Sequence, residues 1–311
     1  MPDLSGHESY GRAADRPYVD RPVTDLERAE RAATTAAAAW DLAPPRLLRR
    51  GMNALFTCGG ATVLRVGNAT AAPELGQRLA RTLLEHGVPT TEPVDRLAGV
   101  FDGRAVSAWV QVTPIERPID WIAVGAAVRR VHELSSEVVP DGYPVPDPRV
   151  FPWWDFDRML ADVAPVLDGA AREALESTVS RCAPLLGRVG ERAVLCHGDV
   201  HPGNVLVGAD GPLLIDWDLM CRADPAWDHA MLTTYAERWG GPPEAYPAFA
   251  EGYGESLADD DLTQALGTLR NVAATLMRVV AGRDDPAAAV EAERRLRWWR
   301  GDPDAPTWRA Q

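Results

Sequence analysis

The segment HGDVHPGNVLVGADGPLLIDWD, residues 197–218, sets Asp199, Asp216, Asp218 and the carboxamide of Asn204 close together, with His197 and His201 among them. Carboxylates gathered at one place repel and raise one another's pKa unless a cation lies between them. The stretch is therefore either a solvated acidic turn or a cation site. The runs VLV (205–207) and LLI (213–215) flank GADGP and predict a β-hairpin centred on Asp210. With that centre, Asn204 and Asp216 stand opposite each other at the open end. Asp199 lies just before, in a segment that Pro202 and Gly203 keep irregular. Two carboxylates and a carboxamide converging on one point are hard oxygen ligands, which Mg2+ takes together with phosphate oxygens. Asp210 needs no such reading, because turn formation explains it.

A rival chemistry uses the same residues. His197, Asp199 and His201 alternate along the chain and, with Asp216, suggest a metal-dependent hydrolase. Pro202-Gly203 interrupt the alternation at once, and no further His or Cys pair completes a zinc set.

The elements that must position this segment can be read on either side of it. Residues 1–22 are polar and rich in Pro, Arg and Asp, the pattern of a loosely held extension. TDLERAERAATTAAAAW (24–40) predicts an Ala-rich helix opened by a capping box, Thr24 with Glu27. LFTC and TVLRV (55–58, 62–66) predict a hairpin, ELGQRLARTLLEHG (74–87) a helix, and GVFDGRAVSAWVQV (99–112) a second hairpin turning at Asp102-Gly103. Helices dominate after Pro118: 121–134 with Asp120 as N-cap, 156–167, 169–186, 261–280 and 287–299. The division is an extension with helix at 1–40, a small α+β lobe at 41–112 and a helical lobe at 113–311.

Composition narrows the partners. The chain of 311 residues carries a net charge of -13, with 46% hydrophobic and 25% charged residues. That acidity argues against a general nucleic-acid partner, and no apolar run reaches the length a bilayer needs. Cys58, Cys182, Cys196 and Cys221 are scattered without a C-x-x-C pair, as expected of a reducing cytoplasm. There is no lysine, so all 32 basic residues are arginine, and any role usual for lysine must be filled by arginine.

HGDVHPGNVL followed by IDWD resembles the catalytic segment of the aminoglycoside phosphotransferase/choline kinase family, small-molecule kinases with a bilobal protein-kinase-like α+β fold. The resemblance implies ATP and Mg2+ as cofactors and a small hydroxylated acceptor, such as an aminoglycoside or other antibiotic. It implies that Asp199 accepts or orients the acceptor proton and that Asn204 and Asp216 hold metal. In the small lobe, Gly51-Met52-Asn53 would lie over the phosphates. Arg65 in VLRV falls where protein kinases place a lysine. Glu74 is then its candidate partner, with Glu85 as an outside choice, and Trp109–Val112, with Gln111 and Val112, forms the adenine hinge. His197 is read as a loop-holding residue with a proton-transfer role as the alternative, and His201 as a substrate or phosphate contact or a surface histidine. Asp218 is a hydrogen-bond acceptor behind the site or a substrate contact, with a helix N-cap as the competing reading. Asp228, in DPAWD, is a loop-fixing residue with substrate contact as the lesser reading. A nucleotide-binding module without turnover is the remaining alternative, though all three metal-site residues are present.

Overall fold

The computed structural model describes residues 16–309. Its first lobe is a five-stranded antiparallel sheet in the order β1-β2-β3-β5-β4, built from β1 (Pro45–Arg50), β2 (Ala54–Cys58), β3 (Thr62–Gly67), β4 (Pro93–Phe101) and β5 (Arg104–Val110). Leu64 and Val66 of β3 are buried, and between them Arg65 turns to the opposite face, as strand alternation requires. Helix α1 (Leu26–Ala39) closes the apolar face: Ala29, Ala32, Ala33, Ala36 and Ala37 are buried with Phe56, Leu64, Val66, Val106 and Ala108. An alanine stripe lets the helix approach the sheet closely. Its N-cap is Asp25, whose side chain accepts from Arg28 N–H, rather than Thr24. The β4–β5 turn has φ of 46° at Asp102 and 68° at Gly103, the left-handed pair that a tight Asp-Gly hairpin uses.

Strand β1 was not apparent from the sequence. PRLLRR is almost wholly exposed, Leu47 and Leu48 included, so it lacks the alternation that marks a half-buried strand. Helix α2 (Pro73–Glu85) buries Leu75, Leu79 and Leu83, and packs on β4 and β5.

The second lobe is helical. Helix α3 (Trp121–Glu133) is capped by Asp120 and packs against α8 (Ala245–Tyr253). A Cβ on Gly125 would fall 2.0 Å from the Phe249 carbonyl oxygen, so their backbones touch. Around the long α9 (Asp261–Ala281) pack α4 (Phe156–Val163), α5 (Gly169–Cys182), α6 (Ala226–Thr233) and α10 (Pro286–Trp299), with the short α7 (Tyr235–Trp239) following α6. Their core includes Leu175, Trp227, Leu266, Leu269, Val272 and Leu276. None of the described helices is long and apolar enough to cross a membrane, and the four cysteines are buried free thiols.

Two small antiparallel pairs frame the segment 197–218. One is β6 (Val194–Cys196) with β9 (Cys221–Ala223); the other is the hairpin β7 (Val205–Gly208) with β8 (Gly211–Leu214). The hairpin register pairs Val205 with Leu214 and Gly208 with Gly211. The turn is therefore the two residues Ala209-Asp210, and every pairing shifts by one from a hairpin centred on Asp210. Asn204 lies beside Ile215, whose N–H donates to the Asn204 carbonyl at 3.0 Å. Asp216 stands beyond the ladder.

Candidate active site

The loop between β6 and β7 is fixed from below by one buried carboxylate. Asp228, fully buried in α6, accepts from the backbone N–H of His197 at 2.7 Å and of Gly198 at 2.9 Å, and meets His132 Nε2 at 3.1 Å. Burial pushes its pKa up, but His132, His197 and the Gly198 N–H hold it below the ordinary carboxylate range. Burial alone would depress His132, yet Cys196 and Asp228 keep it raised, to about 9. Asp228 is thus placed beneath the loop with no surface for a substrate, which corrects the substrate-contact reading. His132, Cys196 and Asp228 lie within 4.8 Å of one another. His132 is already held between Asp228 and the Tyr253 hydroxyl, which makes the group a structural clamp.

Gly198 has φ of 91°, and a Cβ there would fall 1.8 Å from the Leu219 carbonyl oxygen. Only glycine lets the loop pass this closely under the segment after Asp216. His197 is buried, its ring tilted against Trp217, and both ring nitrogens are used: Nε2 lies 3.0 Å from the Ile215 carbonyl and Nδ1 accepts from Asp199 N–H at 3.3 Å. Burial holds its pKa down. A neutral ring committed at both nitrogens ties the loop to the hairpin; it has no lone pair for a metal, so the hydrolase ligand set is not assembled.

Asp199 emerges from this support half-exposed. Its Oδ1 accepts from Arg270 Nη1 at 3.1 Å, its Oδ2 lies 3.4 Å from His201 Nε2, and Asn204 Nδ2 donates to Oδ2 at 3.2 Å and to the Asp199 carbonyl at 2.9 Å. Burial would push its pKa up, but His201 and Arg270 hold the carboxyl well below its usual range. His201 is raised in return by Asp199, against the effect of burial. Because the Asn204 amide is spent on Asp199, its carboxamide oxygen is the atom left for a cation. Asp216 is the other hard donor; its φ of 65° and ψ of 63° place an aspartate in the left-handed region, turning its carboxylate into the cleft, where the side chain is 41% exposed. The desolvating walls of the cleft and the charge of Asp218 push the Asp216 pKa up, against the effect of Arg65.

Arg65 reaches across from β3. It forms an ion pair with Asp218 Oδ2 and lies 3.5 Å from Asp216 Oδ1. Asn53 Nδ2 also donates to Asp218 Oδ2, at 3.0 Å. Both carboxylates hold Arg65 above its ordinary pKa despite burial. Glu74, exposed at the start of α2, is not among its partners, and neither is Glu85. Asp218 is 5% exposed and spent on Arg65 and Asn53, so it serves this network rather than an acceptor. The segment expected to be the hinge follows β5: Gln111 N–H donates to the Ala61 carbonyl at 2.9 Å and its side chain accepts from Thr57 at 2.6 Å. Val112 packs toward the hairpin, where a Cβ on Gly208 would lie 3.5 Å from Val112 Cγ1.

Sequence reasoning missed Arg270. It is the single charged residue between Asp261 and Arg278, which was the available signal. Besides Asp199, it donates from Nη2 to the Gly198 carbonyl at 2.7 Å, and its guanidinium lies 5.0 Å from the Trp227 ring centre. Among the described residues the cleft therefore gathers Asp199, Asn204, Asp216, Asp218, Arg65, Asn53, His201 and Arg270. Carboxylate and carboxamide oxygens under an arginine can hold a divalent cation and polyphosphate.

Known proteins share this fold. The model of the phosphotransferase enzyme family matches residues 52–267. No curated protein sequence matches the chain significantly. Among solved structures, the chain is similar to the GDP and kanamycin complex of APH(2″)-IIIa, at 18% identity and a TM-score of 0.65 over 88% of this chain and 98% of that one. A choline/ethanolamine kinase family protein from Mesorhizobium loti gives 19% identity and a TM-score of 0.60 over 91% and 95%. Spectinomycin phosphotransferase APH(9)-Ia in complex with ADP and spectinomycin gives 15% and 0.60 over 83% and 89%. Matched over well over half its length by that family's model, and carrying its bilobal kinase-like fold, the chain belongs to the phosphotransferase enzyme family and is a small-molecule phosphotransferase.

Proposed function

We propose that the chain transfers the γ-phosphoryl group of ATP, bound with Mg2+, to a hydroxyl of a small molecule. What supports this reading is the bond from Asn204 to Asp199, the approach of Arg65 to Asp216 at 3.5 Å, and the influence of the Asp199 charge on Asp216. Asn204 and Asp216 would hold the metal, whose positive charge neutralises the phosphate oxygens. Arg65, always charged and able to grip two oxygens at once, contacts the α/β-phosphates when nucleotide enters. Gly51–Asn53 covers the phosphates, and Gln111–Val112 borders the base.

Asp199 orients the acceptor hydroxyl toward the γ-phosphorus. As the new O–P bond forms, the bond to the β–γ bridging oxygen breaks, ADP leaves, and the hydroxyl proton passes to Asp199 and on to solvent. A carboxylate held as acidic as Asp199 is a weak base, so its work is mainly orientation, as in phosphoryl transfer through a loose transition state. Arg270 and His201 fix the direction of its oxygens.

Aminoglycosides and other hydroxylated antibiotics lead the acceptor candidates, since similar structures hold kanamycin or spectinomycin. The acids that could greet a polycation are partly committed: Asp155 caps α4, Glu237 pairs with Arg238, and Asp260 caps α9. Uncharged hydroxyl compounds therefore belong in the same trial. The test is calorimetric titration with MgADP and MgGDP, alongside Asp216→Ala. Binding by the wild-type chain and its loss in the variant support the reading; a wild-type chain that binds neither nucleotide overturns it.

A further inference from the structure

We infer that Tyr18 is a positioning residue for the metal-bearing end of the nucleotide site, acting through Asp218 and Trp217. The inference rests on the phosphotransfer reading above. Residues 16–22 lie in what the sequence suggested was a loose extension, yet with Val23 they form a strap that joins both lobes; residues 1–15 are outside the described residues. On the sheet side, Val19 bridges to Ala69, Thr70 N–H donates to the Tyr18 carbonyl at 2.8 Å, and Thr70 Oγ1 donates to the Pro17 carbonyl at 2.8 Å. Val23 N–H donates to the carbonyl of Met52 at 3.1 Å, inside the loop assigned to the phosphates.

On the helical side, Tyr18 N–H donates to the Asp218 carbonyl at 3.0 Å. The Tyr18 ring stacks on Tyr143 with centroids 4.9 Å apart and planes inclined by 14°. Tyr143 in turn donates its hydroxyl to the Trp217 carbonyl at 2.9 Å. The Tyr18 hydroxyl donates to the Pro73 carbonyl at 3.1 Å, and only 4% of the residue is exposed.

The stacked pair thus grips two successive carbonyls, those of residues 217 and 218. They directly follow Asp216, whose left-handed backbone persists only where its surroundings hold it. The same strap reaches the phosphate loop at Met52. It therefore sets the Asp216 carboxylate and the loop above it in one frame, a task that α2 does not perform through Glu74. Ordinary interlobe packing would need none of this coincidence at the residues beside the metal aspartate.

The experiment measures ADP affinity by calorimetry with Mg2+ and again in EDTA, and reads the ratio. GDP is run in parallel. In Tyr18→Ala the gain in affinity from Mg2+ shrinks by about tenfold, while affinity in EDTA stays within about twofold of wild type. Tyr18→Phe, which keeps the stacked ring, restores most of the gain. Tyr143→Phe keeps the stack but drops the bond to the Trp217 carbonyl, and loses about threefold of the gain. It decides the matter if Tyr18→Ala does not fold. An unchanged ratio, or equal weakening with and without Mg2+, overturns the inference and leaves Tyr18 a structural residue. A wild-type chain that binds neither nucleotide in either condition overturns the phosphotransfer reading, and this inference with it.

Discussion

Arg270 of α9 and Asp199 of the loop between β6 and β7 form a directed pair: Nη1 donates to Oδ1 over 3.1 Å while Nη2 of the same guanidinium holds the Gly198 carbonyl at 2.7 Å. Two bonds from one planar fork fix both the carboxylate and the peptide that carries it. A misplacement of about 1 Å at a reacting group can cost about a hundredfold in rate. Arg270→Met is therefore expected to lower kcat by about tenfold to a hundredfold while MgADP affinity stays within about twofold, as steady-state kinetics and calorimetry on one preparation would show. Arg270→Lys is expected to recover only part of the rate, because one ammonium cannot span both acceptors.

Asp216 combines a left-handed backbone with a carboxylate crowded by Asp218. Asparagine tolerates that backbone and removes the repulsion. Asp216→Asn should keep or slightly raise the Tm of the nucleotide-free protein while abolishing MgATP-dependent turnover. Asp216→Val should also lose turnover and in addition cost about 1–2 kcal/mol of stability, since a β-branched side chain resists positive φ. Differential scanning calorimetry separates the two substitutions.

His132 gives the stability a defined pH dependence. Its pKa is raised from 6.5 to about 9 by Cys196 and Asp228 against the effect of burial. A group raised in the fold stabilises fully below its unfolded pKa and loses that contribution as pH climbs through the folded one. The Tm should thus fall between pH 6.5 and about 9, and His132→Gln should flatten the slope across that window. A slope unchanged in the variant would show that another group titrates there.

Asp228→Ala removes the acceptor for two loop N–H groups and leaves His132 buried without its counter-ion. Breaking a buried pair in this way costs about 3–5 kcal/mol. Chemical denaturation should register a loss of that size, and phosphotransfer should fall even at temperatures where the variant is folded, because His197 and Gly198 support Asp199.

The segment 197–218 was the most legible part of the chain, since its residue types and spacing carry the family resemblance and its turn residues carry its shape. Its hairpin register was off by one, because GADGP can centre on Asp210 or on the Ala209–Asp210 peptide and only the ladder decides. Thr24 and Asp25 are both good caps, and sequence alone favoured the wrong one. Contacts between distant elements were the illegible part. Arg65 meets Asp218, 153 positions away, where the expected partner was Glu74. Arg270 read as one more helix residue until α9 packed beneath the loop. The strap at 16–23 has no periodicity, because it is held by backbone bonds to both lobes and by unevenly spaced buried side chains, Tyr18, Val19 and Val23 among them, rather than by a repeating apolar face.

The most direct measurement is mass spectrometry of pooled hydroxylated compounds, aminoglycosides included, after incubation with the protein and MgATP. The account expects a product heavier by one phosphoryl group, formed by the wild-type chain and absent with Asp199→Asn, which should still bind MgADP. Phosphorylated product at wild-type rate from Asp199→Asn, or a wild-type chain that yields no product and binds no nucleotide, would contradict it.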